Sequence, residues 1–412
     1  MRYLLVNKYL YPRGGAETYT LELGAALRKA GHTVAYFGMY DEQNVMLNRA
    51  GLYVSATDFH TKSPAALTYP NRIIYSTEAK EKMSALIEKF KPDIIHLNNF
   101  NYQLTPSIID AAKEAGVPVI MTAHDSQLVC PNHLLYNPIT HTICTKCVDA
   151  GNPEWCEMTQ CIHGSLPKSI LGTMEAKYYR RHDSYDWIST IICPSHFMEG
   201  VYDTDKRFAC KTTYLQNFVT KIPYSASAHD DYVFYFGRIA PEKGIFNIIA
   251  AANALPDVRF VCAGSGPDEA LLSSAPNIEF AGFRSGAELH ALIQRARLVI
   301  LPSICLENCP LSVMEAQMLG AAVIAPGYGG AAELIDSADR IRDTSSDALI
   351  EAIKSAYYDD ARLADMRSRN IERARGYMDV SAYVTAYLRI AESAIQECSA
   401  GLAQGESLRR AC

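Results

Sequence analysis

No stretch of this chain reaches the roughly 18 consecutive apolar residues that a membrane-spanning helix requires. The N-terminal residues Met1-Arg2-Tyr3-Leu4-Leu5-Val6-Asn7-Lys8 hold an apolar run too short for the core of a secretory signal. These two absences set the expectation of a cytoplasmic protein. A basic excess is missing as well: 39 Lys and Arg stand against 45 Asp and Glu, a net charge of -6, with no acidic or basic tail. Nucleic acid is therefore not expected as the main partner. No internal repeat or low-complexity segment is evident. What is present suits an ordinary globular chain, since 412 residues, 49% hydrophobic and 20% charged, can bury two cores and suggest two or three domains.

Short apolar runs alternate with helical patterns. Tyr3-Leu4-Leu5-Val6 precedes a helix expected over Gly15 to Ala30, with Tyr19, Leu23, Ala26, Leu27 and Ala30 on one face. Further strand-like runs end at Phe37, Leu97 and Thr122. The pattern restarts after Asn217 with Tyr232 to Phe236, Val258 to Cys262, and the runs opening at Leu298 and Ala322. Strands alternating with helices imply parallel sheets, so two doubly wound domains are expected, joined near Pro223 and the small and polar residues Ser225 to Asp230. A cleft between two such sheets is a default ligand site.

The most informative stretch is Glu307-Asn308-Cys309-Pro310-Leu311-Ser312-Val313-Met314-Glu315. Pro310 lacks an N–H and has a preset φ, which predicts a helix starting there and running to Gly320. Glu307 then sits on the loop and Glu315 in the helix. The N–H groups of the first turn would face an anion, and two acceptor-only carboxylates can take hydroxyl protons from sugars. An apolar run with Pro302-Ser303 precedes this stretch, and Gly320, an apolar run and Gly327-Tyr328-Gly329-Gly330 follow it.

Pro302-Ser303, Glu307, Glu315-Ala316, Gly320 and Gly329-Gly330-Ala331-Ala332-Glu333 together resemble the donor-site signature of retaining GT-B glycosyltransferases, family 4 (glycosyl transferases group 1). The resemblance implies an α/β fold of two Rossmann-like domains facing across a cleft. Residues 1–217 would form an acceptor-binding domain with a Cys-rich insert at about 130–165. Residues 218–378 would bind the nucleotide sugar, and 379–412 would hold a helix crossing back to the first domain. It also implies that Glu307 meets the donor sugar's hydroxyls and Glu315 the ribose, with Asn308, Cys309, Pro310 and Leu311 on the donor side.

A second motif, Phe236-Gly237-Arg238-Ile239-Ala240-Pro241-Glu242-Lys243-Gly244, follows a strand. A guanidinium and an ammonium at a strand's carboxyl end would stabilise a leaving diphosphate most in the transition state, and the resemblance gives Arg238 and Lys243 that role. Gly264-Ser265-Gly266 is a weaker signal, and Gly282-Phe283 would frame the base. In the first domain Gly14-Gly15-Ala16-Glu17 links strand to helix, and its glycines allow close approach to a phosphate or sugar. Glu17 either shares in that contact or complements the helix dipole. His124 follows a strand ending at Ala123; the resemblance sets it beside the donor sugar, and Asp125, a candidate for the acceptor side, either orients the ring or assists. His96, with Asn98 and Asn99, is a candidate for the acceptor side. The resemblance implies a reaction on one sugar face, the leaving phosphate helping to deprotonate the acceptor. No Asp-x-Asp motif stands out near the diphosphate site, so catalysis is expected without a metal or other cofactor.

Five of the twelve cysteines, Cys130, Cys144, Cys147, Cys156 and Cys161, crowd into 32 residues, a departure from the family pattern. Cys144-x-x-Cys147 is half of a metal knuckle, and a structural zinc or iron–sulfur site is expected ahead of buried thiols or disulfides. Beyond the insert, Ile170, Leu171, Met174 and Tyr178 repeat at helical spacing beside Lys168, Lys177, Arg180 and Arg181. Such a helix either packs its apolar stripe on the domain or touches an anionic membrane at its inner face. The whole reads as a retaining hexosyltransferase that uses a nucleoside-diphosphate sugar and a glycan or lipid-linked acceptor in bacterial surface polysaccharide synthesis. The alternatives are a GT-B sugar-nucleotide epimerase and a non-catalytic subunit that binds nucleotide sugar or a partner.

Overall fold

Apolar runs become the strands of two parallel sheets. The computed structural model describes residues 1–46, 48, 50–56, 69–220, 222 and 229–404. The junction expected at Pro223 and Ser225 to Asp230 falls largely on residues 223–228, outside the described set. The chain divides into one compact unit of Met1–His133, Lys146–Gln216 and Ser381–Cys412, and another of Leu134–Thr145 and Asn217–Val380.

The first unit begins with strands β1 (Arg2–Val6), β2 (Thr33–Phe37), β3 (Ile94–Leu97) and β4 (Val119–Thr122). A hairpin of β5 (Tyr136–Asn137) and β6 (Thr142–Ile143) follows and counts with the second unit. Strands β7 (Ile188–Cys193) and β8 (Thr212–Tyr214) complete the first sheet, ordered β2-β1-β3-β4-β7-β8 with parallel pairing throughout. Every residue of β3, β4 and β7 is buried, as expected of parallel strands covered on both faces. The connecting helices are α1 (Gly15–Lys29), α2 (Tyr69–Ile74), α3 (Thr77–Phe90), α4 (Ser107–Glu114), α5 (Lys146–Asp149), α6 (Glu154–Thr159), α7 (Leu166–Arg181) and α8 (His196–Asp203). Tyr19, Leu23 and Leu27 of α1 are buried on the face expected from their spacing.

The second unit holds β9 (Asp230–Phe236), β10 (Arg259–Ala263), β11 (Ile278–Gly282), β12 (Ala296–Ile300), β13 (Val323–Pro326) and β14 (Arg340–Ile341). Their order, β11-β10-β9-β12-β13-β14, is the 3-2-1-4-5-6 order of a dinucleotide-binding sheet. Val233 pairs with Phe260 on one side and Leu298 on the other, so β9 lies at the reversal of strand order. Alternate residues of β9 enter opposite cores: Val233 and Tyr235 join one, Phe234 and Phe236 the other. Each such fully buried side chain contributes roughly 1.5 to 3 kcal/mol. Helices α9 (Ile245–Ala254), α10 (Gly286–Arg295), α11 (Leu311–Met318), α12 (Ser346–Tyr357) and α13 (Asp360–Ala374) cover this sheet. The last, α14 (Val380–Gln404), packs on the first unit: Tyr383 Oη lies 2.6 Å from Tyr19 Oη and Tyr387 Oη 2.9 Å from His96 Nδ1.

Two local expectations change. Pro310 is the residue before α11 and not its first member; its ψ of 111° is extended, and Leu311 opens the helix. Helix α7 is turned the other way from its apolar stripe: Ile170 and Met174 are exposed, whereas Ser169, Gly172, Thr173, Glu175 and Tyr179 are buried. Small residues allow the close approach, since a Cβ on Gly172 would come 2.4 Å from Ile162 Cδ1.

Candidate active site

In the second unit the two loops at the strand-order reversal carry the candidate residues. After β9 the chain runs through Gly237, Arg238 and a single turn at Pro241–Lys243 to Gly244, which opens α9 at φ 79°. A Cβ there would lie 2.0 Å from Pro302 O, so the β9 and β12 loops touch backbone to backbone. Lys243 Nζ donates to Glu307 Oε1 at 2.6 Å, and Ser303 Oγ donates to the same oxygen at 2.5 Å. Burial alone would lower the Lys243 ammonium, but the Glu307 carboxylate outweighs it and holds the ammonium well above its ordinary range. Burial likewise works to raise Glu307, and Lys243 and Ser303 overcome it, so the carboxylate stays ionised.

Backbone contacts fix Glu307 further. Gly330 N donates to Glu307 O at 2.7 Å, and Tyr328 Oη donates to Ser303 O at 2.8 Å. The Gly-rich loop thus clasps the glutamate, and Gly264 and Gly266 close against the β9 loop, where a Cβ would meet Gly237 O or Ile239 O. Arg238 differs from Lys243: its side chain is 63% exposed, with Glu242 Oε1 3.4 Å away. Phe283 is 65% exposed on the loop after β11. Asn308 and Cys309 are buried, Cys309 with its thiol pushed up to about 12 by burial. Leu311 and Glu315 are half-buried on α11. The structure therefore brings Lys243 and Glu307 together, with Arg238 on the same loop as Lys243.

In the first unit, His124 follows β4. Asn98 Nδ2 donates to Val6 O at 3.2 Å, which turns Asn98 Oδ1 toward the imidazole, 2.8 Å from His124 Nε2. The proton then belongs on Nε2, leaving the Nδ1 lone pair as acceptor. Burial pushes the ring down to about 3, so it is neutral. Tyr19 sets its ring edge-on at 5.0 Å. Asp125 is pushed up to about 6 by burial, against the pull of Lys8. Gly14 and Gly15 are exposed at the start of α1, and Glu17 is buried, accepting from Asn7 Nδ2 at 3.1 Å. Glu17 thus does more than complement the helix dipole.

His96 requires correction. It is fully buried, with Nε2 2.8 Å from Thr122 Oγ1 and Nδ1 2.9 Å from Tyr387 Oη, and burial pushes it down to about 3. Both ring nitrogens serve the core, so it offers nothing to an acceptor. Asn98, also fully buried, acts by orienting His124.

The cysteines divide. Cys147, Cys156 and Cys161 form a buried cluster, with Cys161 Sγ and Cys156 Sγ 3.1 Å apart. Cys144 is half-buried and belongs to the hairpin segment of the second unit, and Cys130 Sγ donates to Asn132 Oδ1 at 3.3 Å. Among the described residues no three His, Cys, Asp or Glu side chains converge as metal ligands would. Sequence reasoning gave no part to Lys8, which follows β1 and interacts electrostatically with Asp125, Glu17 and Arg13; burial pushes its ammonium down, and the two carboxylates pull it back up. Its position at a strand's carboxyl end was the available signal.

A family model described as glycosyltransferase family 4 matches residues 13–221, and one described as glycosyl transferases group 1 matches residues 222–376. An uncharacterized 42.6 kDa protein from the cps region of Klebsiella pneumoniae is 24% identical over 351 residues, 81% of this chain and 87% of its own. The lipopolysaccharide 1,2-N-acetylglucosaminetransferase of Salmonella typhimurium is 27% identical over 42% of this chain and 54% of its own. Among solved structures, sucrose-phosphate synthase from Thermosynechococcus elongatus superposes with a TM-score of 0.71 at 17% identity, covering 95% of this chain and 98% of that one. Anabaena HepE in complex with UDP and glucose gives a TM-score of 0.67 at 17% identity, covering 95% and 100%. The two parallel sheets with their switch-point loops, and family models covering both halves, make this chain a GT-B glycosyltransferase of family 4.

Proposed function

We propose that the chain moves a hexosyl group, with retention, from a nucleoside-diphosphate sugar to a hydroxyl of a glycan or lipid-linked acceptor in bacterial surface polysaccharide synthesis. The observation that carries this reading is the Lys243–Glu307 pair, 2.6 Å apart where strand order reverses. An ammonium has three N–H donors, one of which serves Glu307; the others suit phosphate oxygens. Arg238 supplies a second, exposed cation, so the charge that grows on the leaving diphosphate falls to two side chains and the proposed chemistry asks no divalent ion. Glu307, kept ionised, meets sugar hydroxyls, and Glu315 the ribose. Neutral His124 hydrogen-bonds the sugar. HepE was solved with UDP-glucose, and the Klebsiella relative comes from a cps region, which support the donor class and the polysaccharide setting.

The test is turnover by the purified chain on UDP-glucose, UDP-N-acetylglucosamine and GDP-mannose with and without glycan acceptors. Acceptor-dependent glycoside formation is expected. Epimerised nucleotide sugar without transfer would favour the epimerase, and binding without turnover the non-catalytic subunit.

The exposed stripe Leu166, Ile170 and Met174, flanked by exposed Lys168 and Arg181, supports a further part of this reading: peripheral contact of α7 with an anionic membrane face. No helix among the described residues is long and apolar enough to cross a membrane.

A further inference from the structure

Residues 134–145 stand in the chain between two stretches of the first unit yet pack with the second. The hairpin is well specified: Tyr136 pairs with Ile143 and Asn137 with Thr142, and Asn137 Oδ1 accepts from Ile139 N at 2.8 Å and Thr140 N at 3.3 Å to close the turn. Tyr136, 2% exposed, packs on Ile304 and Cys305. Its hydroxyl lies 2.7 Å from His141 Nδ1, and burial with the nearby Glu242 carboxylate holds it far above the ordinary phenol range, so it remains an O–H donor. His141 in turn packs its ring edge-to-face with Phe246 of α9, the ring centroids 5.9 Å apart.

What Tyr136 presses on links the two loops of the site. Ile304 N and Cys305 N both donate to Glu242 O, at 3.0 and 3.3 Å. Glu242 is the neighbour of Lys243, and Cys305 lies two residues before Glu307. We propose that Tyr136 and His141 are positioning residues: the hairpin clamps Ile304–Cys305 onto Glu242 and thereby holds Lys243 and Glu307 in register for the donor. This rests on the reading of that pair as the donor site. The hydrophobic contact seats the clamp, and the Tyr136–His141 hydrogen bond sets its angle.

The experiment combines Tyr136→Phe, His141→Ala and their double variant in the full chain, with two readouts. Amide hydrogen exchange needs no ligand: Ile304 and Cys305 should exchange several-fold faster in each variant while β9 and β12 keep their protection. Steady-state turnover on the donor that the wild type uses should show kcat reduced about five- to tenfold, in keeping with one lost hydrogen bond, with little change in KM, because geometry rather than nucleotide affinity is lost. The double variant should be no worse than either single one. Unchanged exchange and kcat in Tyr136→Phe, with only a lower Tm, would overturn the clamp and leave a packing role. Arg238→Met separates the two levels: wild-type turnover lost in Arg238→Met but retained in Tyr136→Phe sinks only this inference. No wild-type turnover on UDP-glucose, UDP-N-acetylglucosamine or GDP-mannose, with no stabilisation by UDP or GDP, sinks both readings.

Discussion

Lys243 and Glu307 are half-buried partners, and a partly desolvated charge that loses its partner costs more than the pair contributes. Lys243→Met should destabilise the fold by about 1 to 2 kcal/mol, between the exposed and the fully buried case, whereas Lys243→Met/Glu307→Met should recover much of that loss; urea unfolding of the wild type, both single variants and the double variant checks it. Additive losses would mean that the pair does not set the local stability. Glu175 of α7 gives a pH signature. Burial pushes its carboxyl up to about 8, with Tyr179 Oη at 2.9 Å pulling the other way. The folded state therefore binds a proton that the unfolded chain releases near pH 4.3, so this contribution is present at low pH and lost as pH rises through about 8. Thermal unfolding between pH 5 and 9 should fall less steeply in Glu175→Gln than in the wild type. Such residues were partly readable beforehand. Glu307 and Lys243 stood out because they sit in motifs after apolar runs, whereas His96 misled because Tyr387, which consumes its Nδ1, comes 291 residues later.

Loops and helices show where pattern reading succeeds and where it stops. Strands buried on both faces read as unbroken apolar runs, so β1, β3, β9 and β12 were plain in the sequence. Helix α7 was not: its buried face is made of Ser169, Gly172 and Thr173, and hydrophobic spacing points to the wrong side when closeness rather than apolarity decides the contact. Its exposed Leu166, Ile170 and Met174 predict co-sedimentation with vesicles rich in anionic lipid, several-fold weaker with neutral vesicles and weaker still in Ile170→Ser/Met174→Ser. Equal binding to both vesicle types would remove the electrostatic part of that reading. The hairpin was equally hidden, since nothing local to Tyr136 announces that it packs on Ile304 and Cys305. Gly244 tests the loop junction: with φ 79° and Pro302 O only 2.0 Å from where a Cβ would lie, Gly244→Ala should cost more than about 2 kcal/mol in urea unfolding. Gly31, at φ 87° with nothing within 4 Å, should cost about 1 kcal/mol when replaced by Ala.

For the molecule as a whole, two parallel sheets with different strand orders each carry candidate residues at their strand ends. The second unit has the dinucleotide order and the Lys243–Glu307 pair at its reversal; the first has neutral His124, Asp125 and Lys8 at its strand ends. This arrangement was readable because the motifs fall after apolar strands in both halves. The crowding of the cysteines was readable too, but not which of them gather, because Cys144 goes with the hairpin and Cys147, Cys156 and Cys161 form the buried cluster. Arg238 offers the cleanest access to function, since its exposed side chain does little for the fold. The decisive measurement is kcat/KM for donor consumption by the wild type and Arg238→Met, alongside their Tm values. Loss of one charge-assisted contact to the leaving diphosphate predicts a roughly 10- to 100-fold fall with an unchanged Tm. Equal kcat/KM in the two proteins would contradict the assignment of the donor diphosphate to this loop.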